Sequence, residues 1–311
     1  MSGNDKREFG DYQTPIDFCE QVCDYLIDSG LVNCPKVILE PTCGIGNFLQ
    51  AASRKFSGTT VFGVEINEQY VNEARQAVPL ANVFNKDIFC FDTRTIIAEN
   101  DILIIGNPPW ATNSNLNHNL PKKSNFKGLR GIEAITGSSN FDICEYIILQ
   151  LLEQYRGTDS TICMLCKTSV ARNIILEIAR KGIIVQKLQM LNFDSNKVFG
   201  VSVAACVLIV KLSSDLDCVS CDECEIKDFD SLETIDTLRI SKGRLCSGTT
   251  ISDLEGKCQM VWRQGVKHDC GKVMELDKKG DVLVNKFNSS VSIEPDLYFR
   301  WLSLAISRNL S

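Results

Sequence analysis

The chain has 311 residues, enough for one large domain or for one domain plus a smaller one. Its hydrophobic content of 44% with 23% charged residues is ordinary for a soluble globular protein, and a net charge of −6 argues against indiscriminate binding to nucleic acid. No stretch approaches the ~20 apolar residues of a membrane span, and no N-terminal run joins basic residues to an apolar segment, so the expectation is a cytoplasmic protein with no membrane partner.

Taken in chain order, short β-rich apolar runs alternate with helical patterns. Val37–Leu39, Thr60–Val64, Val83–Phe84 and Ile102–Ile105 read as strands, with helices around Phe48–Lys55, Glu68–Ala77 and Thr93–Glu99. Further on, Ile143–Tyr155 and Ala171–Lys181 read as helices, and Thr161–Cys166, Ile183–Leu191 and Val203–Leu212 as strands. Strands alternating with helices imply an α/β fold with a doubly wound, mostly parallel seven-stranded sheet. The last two strands have no helix between them, so one antiparallel pair closes the sheet. Such a sheet binds ligands beyond the carboxyl ends of its strands, at the switch point. The fifteen cysteines are scattered through these elements, which suits reduced, buried thiols better than a disulfide framework.

Strand ends carry the chemistry. Glu40-Pro41-Thr42-Cys43-Gly44-Ile45-Gly46-Asn47-Phe48 forms the first strand-to-helix turn, where Gly44 and Gly46 let backbone approach a ligand. It lacks the third glycine of a dinucleotide fingerprint, and Glu40 would repel phosphate; a cationic, carboxylate-bearing ligand such as S-adenosylmethionine suits that acid better. Glu65 ends the second strand, where an acid accepts hydrogen bonds from ribose hydroxyls. Asp87 lies just past the third strand and could receive an adenine amine, with Ile66 and Ile88 flanking the ring. Past the fourth strand comes Asn107-Pro108-Pro109-Trp110. Each proline removes a backbone donor and fixes φ, so nearby carbonyls point in set directions without ladder partners. Asn107 adds a side-chain acceptor and Trp110 a flat apolar face, a set that suits a planar substrate bearing an NH2 group. The plainer alternative is a proline-terminated strand with an aromatic cap.

Together these residues carry a resemblance. Gln13-Thr14-Pro15, then Glu40 to Phe48, Glu65, Asp87 and Asn107 to Trp110 resemble, in that order, the gamma-arrangement adenine-N6 DNA methyltransferases of restriction–modification systems. The match runs from about residue 10 to residue 212. It implies S-adenosylmethionine as cofactor, with Thr14 and Pro15 holding its methionine end and Cys43, Gly44 and Phe48 lining its pocket. It also implies double-stranded DNA as substrate, with the target adenine flipped out. Asn107 and Pro108 would accept hydrogen bonds from N6, and the base would stack on Trp110. Lys197 to Val201 resembles the family segment that supplies a second aromatic, so Phe199 would face the base from the side opposite Trp110. Phe141 and Asp142 match another family element near the site.

Three stretches stand apart. Ala111–Ile132 is polar, with Lys122, Lys123, Lys127 and Arg130 and no acid, and its place after Trp110 suits phosphate contact. Residues 213–236 hold nine acids and one base, which reads as a solvated connector (213–248) between a catalytic domain (1–212) and a partial target-recognition module (249–311). Within it, Cys218, Cys221 and Cys224 have metal-ligand spacing but no second Cys-x-x-Cys pair, so no metal is expected. Trp262 to His268 resembles the opening of a target-recognition domain that here is short. A specificity partner or a cognate restriction endonuclease would fit that shortness. Two rival readings are an amine methyltransferase acting on RNA or on a protein glutamine, and a non-catalytic DNA-binding remnant.

Overall fold

A computed structural model describes residues 12–111, 142–215, 217, 219–241, 244–247, 276–280 and 282–292. The chain divides into two compact units, Met1–Thr250 and Ile251–Ser311.

The larger unit is built on one sheet. Its first elements are α1 (Ile16–Asp28), β1 (Val37–Glu40), α2 (Asn47–Lys55), β2 (Thr60–Glu65), α3 (Glu68–Ala77), β3 (Asn82–Asn85) and β4 (Ile102–Gly106). After them come α4 (Ile143–Gln154), β5 (Thr161–Lys167), α5 (Thr168–Lys181), β6 (Val185–Asp194), α6 (Ser195–Phe199), β7 (Ala204–Leu212), β8 (Glu223–Asp228), β9 (Thr234–Ser241) and β10 (Arg244–Ser247). The strand order is β10-β9-β8-β6-β7-β5-β4-β1-β2-β3. Strands β3, β2, β1, β4 and β5 pair in parallel, and β7 runs antiparallel between β5 and β6. The chain crosses over between β1 and β4, so the carboxyl ends of those strands open the switch-point crevice.

Every residue of β1 and β4 is buried, as expected where helices cover both faces of a parallel sheet. Helix α1 buries Phe18, Cys19, Val22, Cys23, Tyr25 and Leu26 on one stripe against α2, and Arg54 and Lys55 at the end of α2 pair with Glu20 (3.0 Å) and Asp24 (2.6 Å). This helix escapes the apolar pattern because cysteines occupy two of its core slots. Buried cysteines of the described core include Cys19, Cys23, Cys43, Cys144, Cys163, Cys166, Cys206 and Cys224, all free thiols. No helix among the described residues is long and apolar enough to cross a membrane.

Two expectations differ from the structure. Thr93–Glu99 forms only a 3₁₀ turn at Thr93–Thr95, where the Thr93 hydroxyl is drawn onto Gln154 (2.7 Å) and Tyr155 (3.1 Å) of the α4 end, which holds the segment against the core instead of letting it coil. The stretch expected as an acidic connector carries β8, β9 and β10, so the sheet has ten strands instead of seven. Its charge misled because neutralising bases sit across strands. Glu225 meets Lys187 (2.6 Å) and the Gln189 amide (2.7 Å), and Arg239 meets Glu223 (2.7 Å). Meanwhile Cys224 and Ile226 alternate inward, a period-2 pattern within the acids.

The smaller unit contains, among its described residues, an antiparallel three-stranded sheet of β11 (Leu276–Lys279), β12 (Val282–Asn285) and β13 (Ser290–Val291).

Candidate functional site

Four of the expected site residues stand at the ends of neighbouring strands: Glu40 on β1, Glu65 on β2, Asp87 after β3 and Asn107 after β4. A strap formed by residues 12–14 links Asn107 to the glycine turn. Asn107 donates its amide Nδ2 to the Tyr12 carbonyl at 3.0 Å. The Ile45 N–H donates to Gln13 Oε1 (3.3 Å), and Asn47 donates its side-chain amide to the Thr14 carbonyl (2.7 Å). Pro15 begins α1, its carbonyl accepting from Phe18 and Cys19 (3.1 Å each). One four-residue segment therefore touches both the glycine turn and the Asn-Pro-Pro-Trp element.

The turn itself is held by carboxylates. Glu65 Oε2 accepts from the Gly44 N–H (2.9 Å) and Oε1 from the Asn67 N–H (2.8 Å). Gly44 has φ +51°, and a Cβ there would lie 2.5 Å from Gln13 Oε1, so only glycine lets the strap close over the turn. Gly46, at φ +90°, instead sits close to α3, where a Cβ added to it would lie 3.1 Å from Ala74 Cβ.

Glu40 does not face outward as a ligand acid would. It is 3% exposed, and its Oε2 accepts from the Leu49 N–H (3.1 Å) in the first turn of α2. Burial pushes its carboxyl well above the ordinary range, against the lowering effect of that hydrogen bond, and the neighbouring Glu65 adds to the rise. Cys43 and Phe48 are likewise core residues beneath the turn, and burial pushes the Cys43 thiol up, which leaves it a neutral wall and not a nucleophile. Asp87 caps the 3₁₀ turn that contains the buried Ile88, accepting from the Phe89 N–H (3.0 Å), while Ile66 is exposed and open to a ligand.

The tetrapeptide holds the most distinctive feature. With Nδ2 fixed on Tyr12, Asn107 Oδ1 is buried without a hydrogen-bond partner among the described residues, and so is Thr42 Oγ1. A buried acceptor left unpaired costs about 1–3 kcal/mol; Gln150 Oε1, Thr161 Oγ1 and Asn192 Oδ1 share this state, and Asn107 is distinguished from them by its place at the end of β4. Trp110 donates Nε1 to the Leu165 carbonyl (3.3 Å) and is almost wholly buried. It meets Phe199 edge to face, ring centres 5.4 Å apart at 78°, and Tyr12 contacts both rings at 6.4 and 6.0 Å. The expected sandwich of a base between Trp110 and Phe199 is therefore not the arrangement of this structure, because the two rings touch. Asp142 caps α4 and pairs with Lys167 (2.9 Å) beside this cluster.

Lys122, Lys123, Lys127, Arg130 and Phe141 lie outside the described residues, as does Cys218. Cys221 donates its thiol to the Glu223 carbonyl (3.0 Å), and Cys224 faces the core from β8.

The family model for N-6 DNA methylases matches residues 1–222. The chain belongs to this family. It is 38% identical over 317 residues to the Type II methyltransferase M.NspV of Nostoc sp. (strain ATCC 29411 / PCC 7524), covering 94% of this chain and 64% of that protein. A shorter match, 32% over 112 residues, joins it to the Type II methyltransferase M.CvrRI of Paramecium bursaria Chlorella virus XZ-6E, with 36% of this chain and 27% of that protein covered. The chain thus spans less than two thirds of the length of these curated relatives.

Solved structures show the same fold. A class I S-adenosylmethionine-dependent methyltransferase from Listeria monocytogenes superposes with a TM-score of 0.51 at 15% identity, covering 71% of this chain and 66% of that one. The methyltransferase subunit of a type I restriction–modification system from Streptococcus thermophilus gives 0.50 at 15% identity, with 70% and 46% covered. Family and fold both agree with the resemblance drawn from the motif order.

Tyr12 was missed by sequence reasoning, and Gln13 was read as part of the Gln13-Thr14-Pro15 element without a role of its own. Their signal was adjacency to Thr14-Pro15; their contacts with Asn107 and the glycine turn span 95 and 32 residues and have no local signature.

Proposed function

We propose that the chain methylates the N6 amino group of adenine in double-stranded DNA, with S-adenosylmethionine as donor. The observation that carries this is Asn107: its amide nitrogen is held by the Tyr12 carbonyl, and its buried oxygen, next to Pro108 in the chain, has no hydrogen-bond partner among the described residues. The residues present fit the cofactor. The glycine turn lies at the carboxyl end of β1 with a left-handed Gly44, Thr42 Oγ1 is buried without a partner among the described residues, and Glu65 and Asp87 stand at successive strand ends. When bound, S-adenosylmethionine supplies an electrophilic methyl group.

The chain's own contribution is positioning. Asn107 Oδ1 and the Pro108 carbonyl accept the two hydrogens of the adenine amine, which draws the nitrogen lone pair out of conjugation with the ring and frees it to attack. Both acceptors are fixed before substrate arrives, one by the strap and one by the double proline, so little reorganisation remains for the reaction itself. The adenine leaves the duplex at a cost of a few kcal/mol, and stacking worth ~1–3 kcal/mol on Trp110 offsets part of it. Lys122, Lys123, Lys127 and Arg130 contact phosphate, and residues 249–311 contribute to choosing the target. A cognate restriction endonuclease, or a partner that adds specificity, completes the system.

Labelled methyl transfer from S-adenosylmethionine to unmethylated DNA, to RNA and to protein extract, run in parallel, tests the proposal. Label in DNA, recovered as N6-methyladenine, is the expected result. Label only in RNA or protein would refute it.

A further inference from the structure

The three aromatic rings at the site leave no slot for a base. A purine held between two rings needs them parallel and about 7 Å apart, twice an ordinary carbon–carbon contact. Here Trp110 and Phe199 are 5.4 Å apart at 78°, Tyr12 and Phe199 6.0 Å at 51°, and Tyr12 and Trp110 6.4 Å at 51°. Trp110 is only 8% exposed, so its stacking face is already covered. One ring must leave before a base can lie flat on it.

Two of the three are pinned. Trp110 is anchored through Nε1 to Leu165 and follows two prolines. Phe199 ends the one-turn helix α6, which Asp194 caps through the N–H groups of Asn196 and Lys197 (2.9 and 3.3 Å). Ser195 closes that turn: its hydroxyl lies within donating distance of the Val201 (2.6 Å) and Val203 (2.5 Å) carbonyls, which share its one proton, and accepts from the Val203 N–H (3.1 Å), and Phe199 packs on Phe193 (6.1 Å). Tyr12 is different. Its backbone is held through the carbonyl that orients Asn107, whereas its half-buried ring rests on Trp110 and Phe199 alone among the described rings. Rotation about χ1 can lift the ring while the carbonyl stays in place. Anchor and moving part belong to the same residue.

We propose that the Tyr12 ring is a placeholder that caps the Trp110 face in the free protein and swings aside when the flipped base arrives. This rests on the reading of the site as a base pocket. The device shields an apolar plate from water until substrate comes, and the need to displace the ring raises the threshold for base entry while leaving Asn107 correctly aimed.

The test uses full-length protein carrying Trp262→Phe and Trp301→Phe, so that Trp110 is the one remaining tryptophan of the three. Acrylamide quenching of its fluorescence should rise severalfold in Tyr12→Ala and stay at the unsubstituted level in Tyr12→Phe. With unmethylated genomic DNA as substrate, KM for Tyr12→Ala should fall ~2- to 10-fold, the factor that an aromatic pair represents. Tyr12→Leu, which keeps a smaller apolar cover, should fall between and guards against misfolding of the alanine variant. Unchanged quenching in Tyr12→Ala would overturn the proposal. So would a raised KM with lowered kcat, which would make the ring a fixed wall of the pocket. If Tyr12→Phe behaves like Tyr12→Ala, the hydroxyl and not the ring cover is responsible, and the proposal falls. Should the parent protein transfer no methyl group to DNA, the functional reading fails, while the quenching measurement still decides the placeholder.

Discussion

Replacing Asn107 with alanine should separate activity from stability, because the structure places opposing energies on one side chain. The bond from Nδ2 to the Tyr12 carbonyl contributes about 1 kcal/mol. The buried, unpaired Oδ1 costs about 1–3 kcal/mol in the same state. Asn107→Ala removes both. Net stability should therefore range from no change to a gain of about 2 kcal/mol. In a unit of this size that is a Tm change of a few degrees, since each kcal/mol moves Tm by about 2–4 °C. Turnover has no such compensation. Removing one preorganised polar group at a reacting centre costs about 10²–10³ in kcat. Urea denaturation and labelled methyl transfer on the same preparations measure the two quantities. A kcat within tenfold of the parent would refute the acceptor role, and a stability loss above about 3 kcal/mol would show that the amide is there for the fold.

The other predictions concern the scaffold and the DNA. Gly63→Ala would bring a Cβ to 2.8 Å from Leu49 Cδ1 and 3.0 Å from Cys43 Sγ, so overpacking should cost about 1–3 kcal/mol in urea titration; an unchanged midpoint would mean the core yields there. Glu40 has a folded-state pKa above its unfolded value, so the folded protein holds the extra proton and loses stability as pH rises from about 4.5 through the raised pKa. Glu40→Gln keeps an acceptor for the Leu49 N–H, and should be more stable than the parent at neutral pH with a flatter pH profile; a parallel profile would contradict the burial argument. Replacing Lys122, Lys123 and Lys127 with alanine should weaken DNA binding and reduce the slope of log K against log salt by ~0.9 for each phosphate that is no longer neutralised. An unaltered slope would remove these residues from the interface.

Much of this protein is written locally. The buried runs Val37–Leu39 and Ile102–Ile105 are recognisable as core strands because both faces of a parallel sheet are apolar, and their alternation with helices defines the doubly wound class. The turn at Gly44 and the Asn107–Trp110 element are equally legible, since glycine and proline constrain the backbone residue by residue. Tertiary structure alone decided the rest. The acids of β8 came to lie on an interior strand, between β6 and β9, because Lys187, Gln189 and Arg239 lie opposite them only after folding. Glu40 turned inward to serve Leu49, and Tyr12 came to aim Asn107 from 95 residues away. A sequence encodes φ/ψ preference and apolar period over a few residues, and these are short-range properties. Which polar atom finds a partner, and which buried oxygen is left without one, depends on contacts made across the sheet by the completed chain.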